Sequence, residues 1–511
     1  MFFLSPTNPN GFSYSWESVK MYQKIKHTFQ HTAIYSLGNI ATKLVGIVLL
    51  PLYTKHITVS EYGILGILEV TLIILTQVLS FGQTSSYLRF YHMEEYASKR
   101  KSTLFTIFVF LFIAESLFIG LIWIVSEPLS QCFEQSHNFD IYFKLSAWIL
   151  FFRVINHLFL TVLRAKEKSH FYVFVNLVRL MTGLGFNIYW VAFAQLGVRG
   201  VMLSSMVSEG ILVLILIPAI LRDMVIKLNL EVLRDSLVFG MPLIFSSLAG
   251  MLLNVGDRYI IKLLLNYDQV GLYNLGYKVG SIFNVLLIQS FSLGLLPLVY
   301  KAYGQTGDKR YYSKMLTYFA LFLLWTFLGL SVFSKEIIQN FTLNSDYWSA
   351  YRIVPVISLA YVFSGANWVV SLGLFLKKKT QRVAFNNILV VLLNIGLNFL
   401  LIPKLKLIGA SIATLISYMT LYLLSYYSSG KYYQIPFENI KLLKMFGLSL
   451  LLYCLSSIVS DGNMLWSILI KMVLLLFFPF GLYFLGCYEK NELERIRMVK
   501  FSNIIQKFRN R

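Results

Sequence analysis

The residues best able to do chemistry in this sequence are charged side chains set deep inside apolar stretches. Lys43, Arg153, Arg179, Arg258, Lys262, Lys278 and Lys471 lie among runs of Leu, Ile, Val and Phe, as do Glu69, Glu115, Glu209 and Asp257. A charge at membrane depth costs about 2.5–3.5 kcal/mol on insertion scales, so each needs a partner or a task. An arginine offers a planar fork of N–H donors that matches carboxylate and phosphate oxygens. Arg153, near the middle of its stretch, and Arg179 are too deep for their heads to reach water. Lys262 and Lys471 sit nearer helix ends, where a lysine stem carries its charge to the interface. The acids fit ion coupling, a carboxyl taking up and releasing a proton during a cycle. Ion pairs are the competing reading: Asp257 with Lys278, Lys43 with Glu69, and Glu115 or Glu209 with Arg153 or Arg179.

Other constellations are missing. Cys132, Cys454 and Cys487 fall in separate regions without a CxxC, so no disulfide is expected. His27 and His31 have i, i+4 spacing, but no acidic or cysteine partner stands nearby, so no metal site is read. No GxxxxGK[ST] phosphate cradle occurs, and no cofactor is implied.

The elements holding these charges are transmembrane helices. The chain has 511 residues, 57% hydrophobic and 14% charged, with a mean hydropathy of +0.65. That charge content is about half the usual 25%. It excludes a soluble enzyme of this length, a disordered chain and a fibrous one. Apolar runs long enough to cross a bilayer read as spans at about 31–53, 63–88, 103–126, 143–163, 170–194, 198–221, 237–265, 271–300, 315–334, 351–376, 383–402, 407–428, 443–459 and 464–486. The class is therefore an all-α polytopic membrane protein with about 14 transmembrane helices.

The net charge of +21 sits in the short loops. It is a topology code rather than a nucleic-acid footprint. The loops and tails on the side of the termini, counting Lys444 at the start of the thirteenth span, carry 31 Lys and Arg, while the opposite loops carry only Lys55, Arg199, Lys335, Lys404 and Lys406. Both termini are expected in the cytoplasm. No opposite-side loop exceeds about 17 residues, too short for an external catalytic domain. Residues 1–30 form a cytoplasmic segment whose first twenty lack the basic and apolar regions of a signal peptide, and Met21 is a second plausible start. Residues 487–511 alternate apolar and basic side chains and read as an amphipathic helix anchored on the anionic inner leaflet.

The sequence also repeats itself. Ser60-Glu61-Tyr62-Gly63-Ile64 is answered 208 residues later by Asp268-Gln269-Val270-Gly271-Leu272. Lys168-Ser169, Asn176 and Asn187 return 211 residues later as Lys379-Thr380, Asn387 and Asn398. Leu196-Gly197-Val198-Arg199-Gly200 matches Leu405-Lys406-Leu407-Ile408-Gly409. Span one therefore pairs with seven, five with eleven and six with twelve. Six is even, so the repeat is parallel. The expected domains are an N-lobe at 31–221, a linker at 222–236, a C-lobe at 237–428 and two extra helices at 443–486.

Two six-helix lobes followed by two helices resemble the polysaccharide-biosynthesis branch of the multidrug/oligosaccharidyl-lipid/polysaccharide exporter superfamily. The most specific stretch is Asn254-Val255-Gly256-Asp257-Arg258-Tyr259-Ile260-Ile261, continuing to Val270-Gly271-Leu272-Tyr273. The opening matches too, from Ser36-Leu37-Gly38-Asn39 through Pro51-Leu52-Tyr53 to Glu61-Tyr62-Gly63. The resemblance covers about residues 24–486. It implies a flippase, not an enzyme, moving polyprenyl-diphosphate-linked oligosaccharide to the outer leaflet of a bacterial or archaeal plasma membrane for O-antigen or capsule-type glycans. Its partners would be that substrate, membrane lipids and a downstream polysaccharide polymerase, with no nucleic acid. On this reading Arg153, Arg179 and Arg258, then Lys43 and Lys278, bind the diphosphate, and Glu115, Glu209, Asp257 and Glu69 couple ions. The alternatives are a drug/cation antiporter of the same fold, which should favour acidic cavity residues, and a membrane glycan polymerase.

Overall fold

The computed structural model of the chain describes residues 46, 48–131, 139–282, 284–458 and 464–489. Among them there is helix and no strand. A short helix α1, Leu50–His56, starts on Pro51, which supplies a preset φ where its missing N–H costs nothing. Helix α2, Val59–Leu79, opens with a capping box: the Glu61 N–H donates to Thr58 Oγ1 (3.3 Å) and the Thr58 N–H to Glu61 Oε2 (3.0 Å). The chain breaks at Phe81 and Gly82, both at positive φ (49° and 66°), and resumes as α3, Gln83–His92. Then come α4 (Arg100–Gln131), α5 (Phe139–Ala165), α6 (Ser169–Asn187) and α7 (Gly197–Leu221).

The second half follows with α8 (Leu230–Val255) and α9 (Asp257–Leu264), adjoining at Gly256. The next span is α10 (Tyr267–Gly280), a π-helical stretch at Asn284–Gln289 and α11 (Ser290–Ala302). It is followed by α12 (Asp308–Val332), a short α13 (Ser334–Phe341), α14 (Val354–Val370), α15 (Leu372–Leu376) and α16 (Thr380–Tyr432). Helices α17 (Asn439–Ile458) and α18 (Met464–Phe484) complete the chain.

Eleven helices among the described residues are long and apolar enough to cross a membrane. The chain is thus an all-helical, multi-pass membrane protein. Three features separate eleven from the fourteen read from hydropathy. The first span, with Lys43, lies mostly outside the described residues, as do His27, His31, Cys132 and the tail from residue 490. The eighth is cut into pieces by the π-helical stretch. The eleventh and twelfth are two helices that follow each other without a gap within α16, joined by a kink at Lys406 (φ 50°, ψ −131°) shortly after Pro403.

The repeat is visible in how α2 and α10 begin. Asn266, 208 residues after Thr58, caps α10 by accepting from the Gln269 N–H (3.0 Å). The two motif glycines then face each other. Gly63 packs on the Tyr267 carbonyl and the Gly271 amide, and Gly271 packs on the Val59 carbonyl. A Cβ at either position would collide with backbone. Lipid removes the hydrophobic drive between helices, so such close backbone approach is what holds them together. Tyr62 and Tyr347 stack edge-on beside them (5.9 Å), and Tyr347 donates to the Ile57 carbonyl (2.8 Å). This end of the bundle carries few basic residues.

At the opposite, basic-rich end, α3 meets α8. Gly82 sits against the Gly240 backbone, Ser86 donates to the Ser236 carbonyl (2.7 Å) and Gln77 to Ser247 Oγ (2.9 Å). The second span therefore touches the other half of the chain at both ends.

Charges fasten the last two helices to α12 and α13. Glu438, in the link before α17, accepts from Lys441 (2.8 Å), Lys314 (2.9 Å) and Thr317 (2.7 Å). Partial burial pushes this carboxyl up, but the hydrogen bonds from the two lysines and Thr317 outweigh it and pull it down to about 2. On α18, Lys471 pairs with Glu336 of α13 at 2.5 Å and is only 4% exposed. This corrects the sequence reading of Lys471 as a snorkelling lysine: its head turns inward to a half-buried carboxylate.

Candidate functional site

The deep charges form three separate clusters. In the first half, α5, α6 and α7 bring Arg153, Arg179 and Glu209 together. Arg153 Nε lies 3.4 Å, and Arg179 Nη1 3.6 Å, from the same oxygen, Glu209 Oε1. Asn156, one turn beyond Arg153, donates to Glu209 Oε2 and to its carbonyl, both at 2.9 Å. Its own Oδ1 is buried without a hydrogen-bond partner among the described residues. The Arg–Glu distances exceed the roughly 2.7–2.9 Å of a tight charged hydrogen bond, so neither fork is fully engaged. Two guanidiniums against one carboxylate leave a net positive charge. The arginine side chains are 24% and 26% exposed, while Glu209 is 8% exposed. The arrangement is able to hold an anion.

The second cluster joins the two halves. Glu69 of α2 pairs with Lys278 of α10 at 3.4 Å, and the Lys278 ammonium lies 5.3 Å from the Tyr62 ring centroid. Above it Tyr53 donates to Asn187 Oδ1 (2.9 Å). The third cluster is sealed inside the second half. Asp257 pairs with Arg258 at 2.8 Å, with both side chains almost fully buried. Tyr273 donates to Asp257, the Arg258 guanidinium stacks 4.0 Å over Tyr277, and Tyr277 bonds Tyr361 (2.9 Å). Arg258 also donates to the Asn254 carbonyl (2.6 Å), and Asn254 Oδ1 accepts from Tyr418 (2.6 Å).

The pairing of Glu209 with Arg153 and Arg179 is one of those read in the sequence, and the others differ. Asp257 is paired with its neighbour Arg258, not with Lys278, and Glu69 is paired with Lys278. Glu209 takes both arginines. Glu115 is fully buried with neither oxygen hydrogen-bonded among the described residues. The cations proposed for one anion do not converge: Arg153 and Arg179 meet, while Arg258 and Lys278 lie in the other clusters. Lys262 stands 4.4 Å from the Tyr267 ring. Sequence reasoning missed Asn156 and the tyrosine network. Asn156 shares a helix face with Arg153 by its i, i+3 spacing, and Tyr273 and Tyr277 share one at i, i+4. That spacing was the available signal. No group of three His, Cys, Asp or Glu side chains able to hold a metal is found among the described residues.

Comparison with known proteins follows the same lines. Residues 29–303 match the family model described as "Polysaccharide biosynthesis protein". The chain is 24% identical over 178 residues to "Probable low-salt glycan biosynthesis flippase Agl15" of Haloferax volcanii, covering 34% of this chain and 37% of that one. The match thus spans little more than a third of that relative's length. "Lsg locus putative protein 1" of Haemophilus influenzae is 22% identical over 310 residues, covering 58% of this chain and 70% of that one. Among solved structures, the lipid II flippase MurJ in an inward closed conformation superposes with a TM-score of 0.71 at 16% identity, covering 88% of this chain and 99% of that one. A Vibrio cholerae MATE transporter, VcmN, superposes at 0.55 and 15% identity, covering 80% and 96%. At these identities the structural likenesses establish the fold.

Proposed function

The chain belongs to the polysaccharide biosynthesis protein family, and we propose that it is a flippase for polyprenyl-diphosphate-linked oligosaccharide. It carries the glycan from the cytoplasmic to the outer leaflet of a bacterial or archaeal plasma membrane, with both termini cytoplasmic, toward O-antigen or capsule-type polymers. The observation that carries this reading is the Arg153–Arg179–Glu209 cluster. One carboxylate shared by two guanidiniums leaves positive charge at membrane depth, as a diphosphate needs and an organic cation does not. The lobes proposed at 31–221 and 237–428 move by alternating access, with α2 touching the C-lobe at both faces. Arg153 and Arg179 hold the diphosphate in the N-lobe. Lys278 serves the path when Glu69 releases it, and Lys43 and Arg258 are further cations of the set. Glu115, with Glu209, Asp257 and Glu69, forms the ion-coupling set. A polysaccharide polymerase stands downstream.

The direct test is reconstitution. Proteoliposomes containing the full chain should move a fluorescent polyprenyl-diphosphate oligosaccharide between leaflets and leave a fluorescent organic cation untransported. The reverse selectivity would replace this reading with a drug/cation antiporter.

A further inference from the structure

A cavity of about 590 Å³ opens on the basic-rich face of the first half, remote from the three deep clusters. Loops far apart in sequence build it: the link between α3 and α4, the α5–α6 turn and the α7–α8 link. Its walls carry Lys99, Arg100, Lys101, Lys166 and Lys227 against a single acid, Asp223. Loops that only record topology would leave their cations spread over the surface; here they converge on one concavity.

The frame is held by backbone bonds. The Val225 N–H donates to the Lys101 carbonyl (3.4 Å) and the Asn229 N–H to Thr106 Oγ1 (3.0 Å), which fastens the α7–α8 link onto the start of α4. Asp223 is spent on Lys166. Lys99 leans outward to Glu231 at 3.5 Å. Arg100 lies 4.8 Å from the centroid of the Tyr91 ring, and its Nε–H is buried without an acceptor among the described residues. No ion pair among the described residues takes up Arg100, Lys101 or Lys227. A guanidinium fixed by an aromatic ring, an orphaned donor and two free ammoniums make a receptor for a compact phosphate oxyanion.

We propose that this pocket binds the phosphate headgroup of a lipid in the adjoining leaflet. Basic pockets between transmembrane helices on the cytoplasmic side are built to take such groups. The proposal rests on the orientation above only for calling that leaflet cytoplasmic. Two lipids carry this chemistry, an anionic phospholipid of the bilayer and a polyprenyl diphosphate carrier, and one experiment separates them.

Full-length protein in detergent is titrated with phosphatidylglycerol, with polyprenyl diphosphate and with inorganic diphosphate, and binding is read by native mass spectrometry. At least one lipid should bind the wild type. R100Q/K101Q/K227Q should weaken it roughly 100-fold, at about fivefold per charge. K101Q/K227Q keeps the Arg100–Tyr91 contact, guards against misfolding, and should weaken binding about 25-fold. K378Q/R382Q removes two exposed cations from the same face of the other half and should leave affinity unchanged. Tighter binding of phosphatidylglycerol identifies the bilayer lipid, and tighter binding of polyprenyl diphosphate the carrier. Unchanged affinity in the triple variant, an equal loss in K378Q/R382Q, or binding of inorganic diphosphate alone would overturn the proposal. Because the readout is binding, its failure is distinct from a failure of transport.

Discussion

Arg153 and Arg179 share one oxygen of Glu209 at 3.4 and 3.6 Å, so removing either arginine leaves the carboxylate paired while the cluster loses its surplus charge. Arg153→Ala and Arg179→Ala should therefore reach the membrane at normal abundance and flip substrate about 10- to 100-fold more slowly, the weight of one charge-assisted contact. Arg→Lys should recover part of the rate, because charge survives and the fork does not. Normal transport by both alanine variants would remove the pair from the substrate path. Glu115 calls for a different expectation. Its carboxyl is buried with no hydrogen-bond partner among the described residues, so Glu115→Gln breaks no hydrogen bond seen there. Its melting temperature should be equal or higher, while the response of transport to a pH gradient is lost. A preserved response would take Glu115 out of the ion-coupling set. The depth of all these residues was legible, since hydropathy fixes position along the membrane normal. Their partners were legible only in part: Glu209 with Arg153 or Arg179 was among the pairs read, but partner choice depends on how each helix is rotated and which neighbour it faces. Glu115 and Glu209 look alike in sequence, yet only Glu209 faces the arginines.

At the scale of elements, the short link before α17 carries more than its length suggests. Glu438 holds Lys441, Lys314 and Thr317, and its carboxyl is drawn from its ordinary value of 4.5 to about 2. A group whose folded-state value is depressed contributes stability that is whole above the unfolded value and is lost as pH falls through the folded one. Thermal unfolding in detergent should accordingly shift down by a few degrees between about pH 4.5 and pH 2. Glu438→Gln should melt lower at pH 7 and lose that dependence. An unchanged pH profile in the variant would show that the clasp contributes nothing. Most helices were legible from apolar run length alone. The turn at Lys406 falls in the 403–406 gap read between spans eleven and twelve, but the break at Phe81 and Gly82 and the π-helical stretch at Asn284–Gln289 were not legible. Each lies inside or beside apolar sequence, where hydropathy is blind to backbone angle. The snorkelling reading of Lys471 failed for a related reason: its partner Glu336 sits on the short helix α13, far away in sequence.

For the whole molecule, the repeat proved the most informative signal. An offset of 208 residues relates Thr58 to Asn266 and Gly63 to Gly271, and these are the caps and glycines by which α2 and α10 start and touch. Sequence alone related the two motifs without revealing that they meet, because contact across a symmetry axis leaves no trace in spacing. That contact gives the alternating-access account its handle. A Cβ placed on Gly66 lies 3.5 Å from the Cβ of Asn274, within the range a disulfide spans without distortion. Gly66→Cys/Asn274→Cys, in a chain whose three native cysteines are replaced, should lock the basic-poor face shut. The decisive measurement is transbilayer movement of a fluorescent polyprenyl-diphosphate oligosaccharide by this variant in proteoliposomes, oxidised and then reduced. The account predicts no flipping above protein-free vesicles while the disulfide is intact, and recovery on reduction. Undiminished flipping by the fully oxidised protein would contradict it.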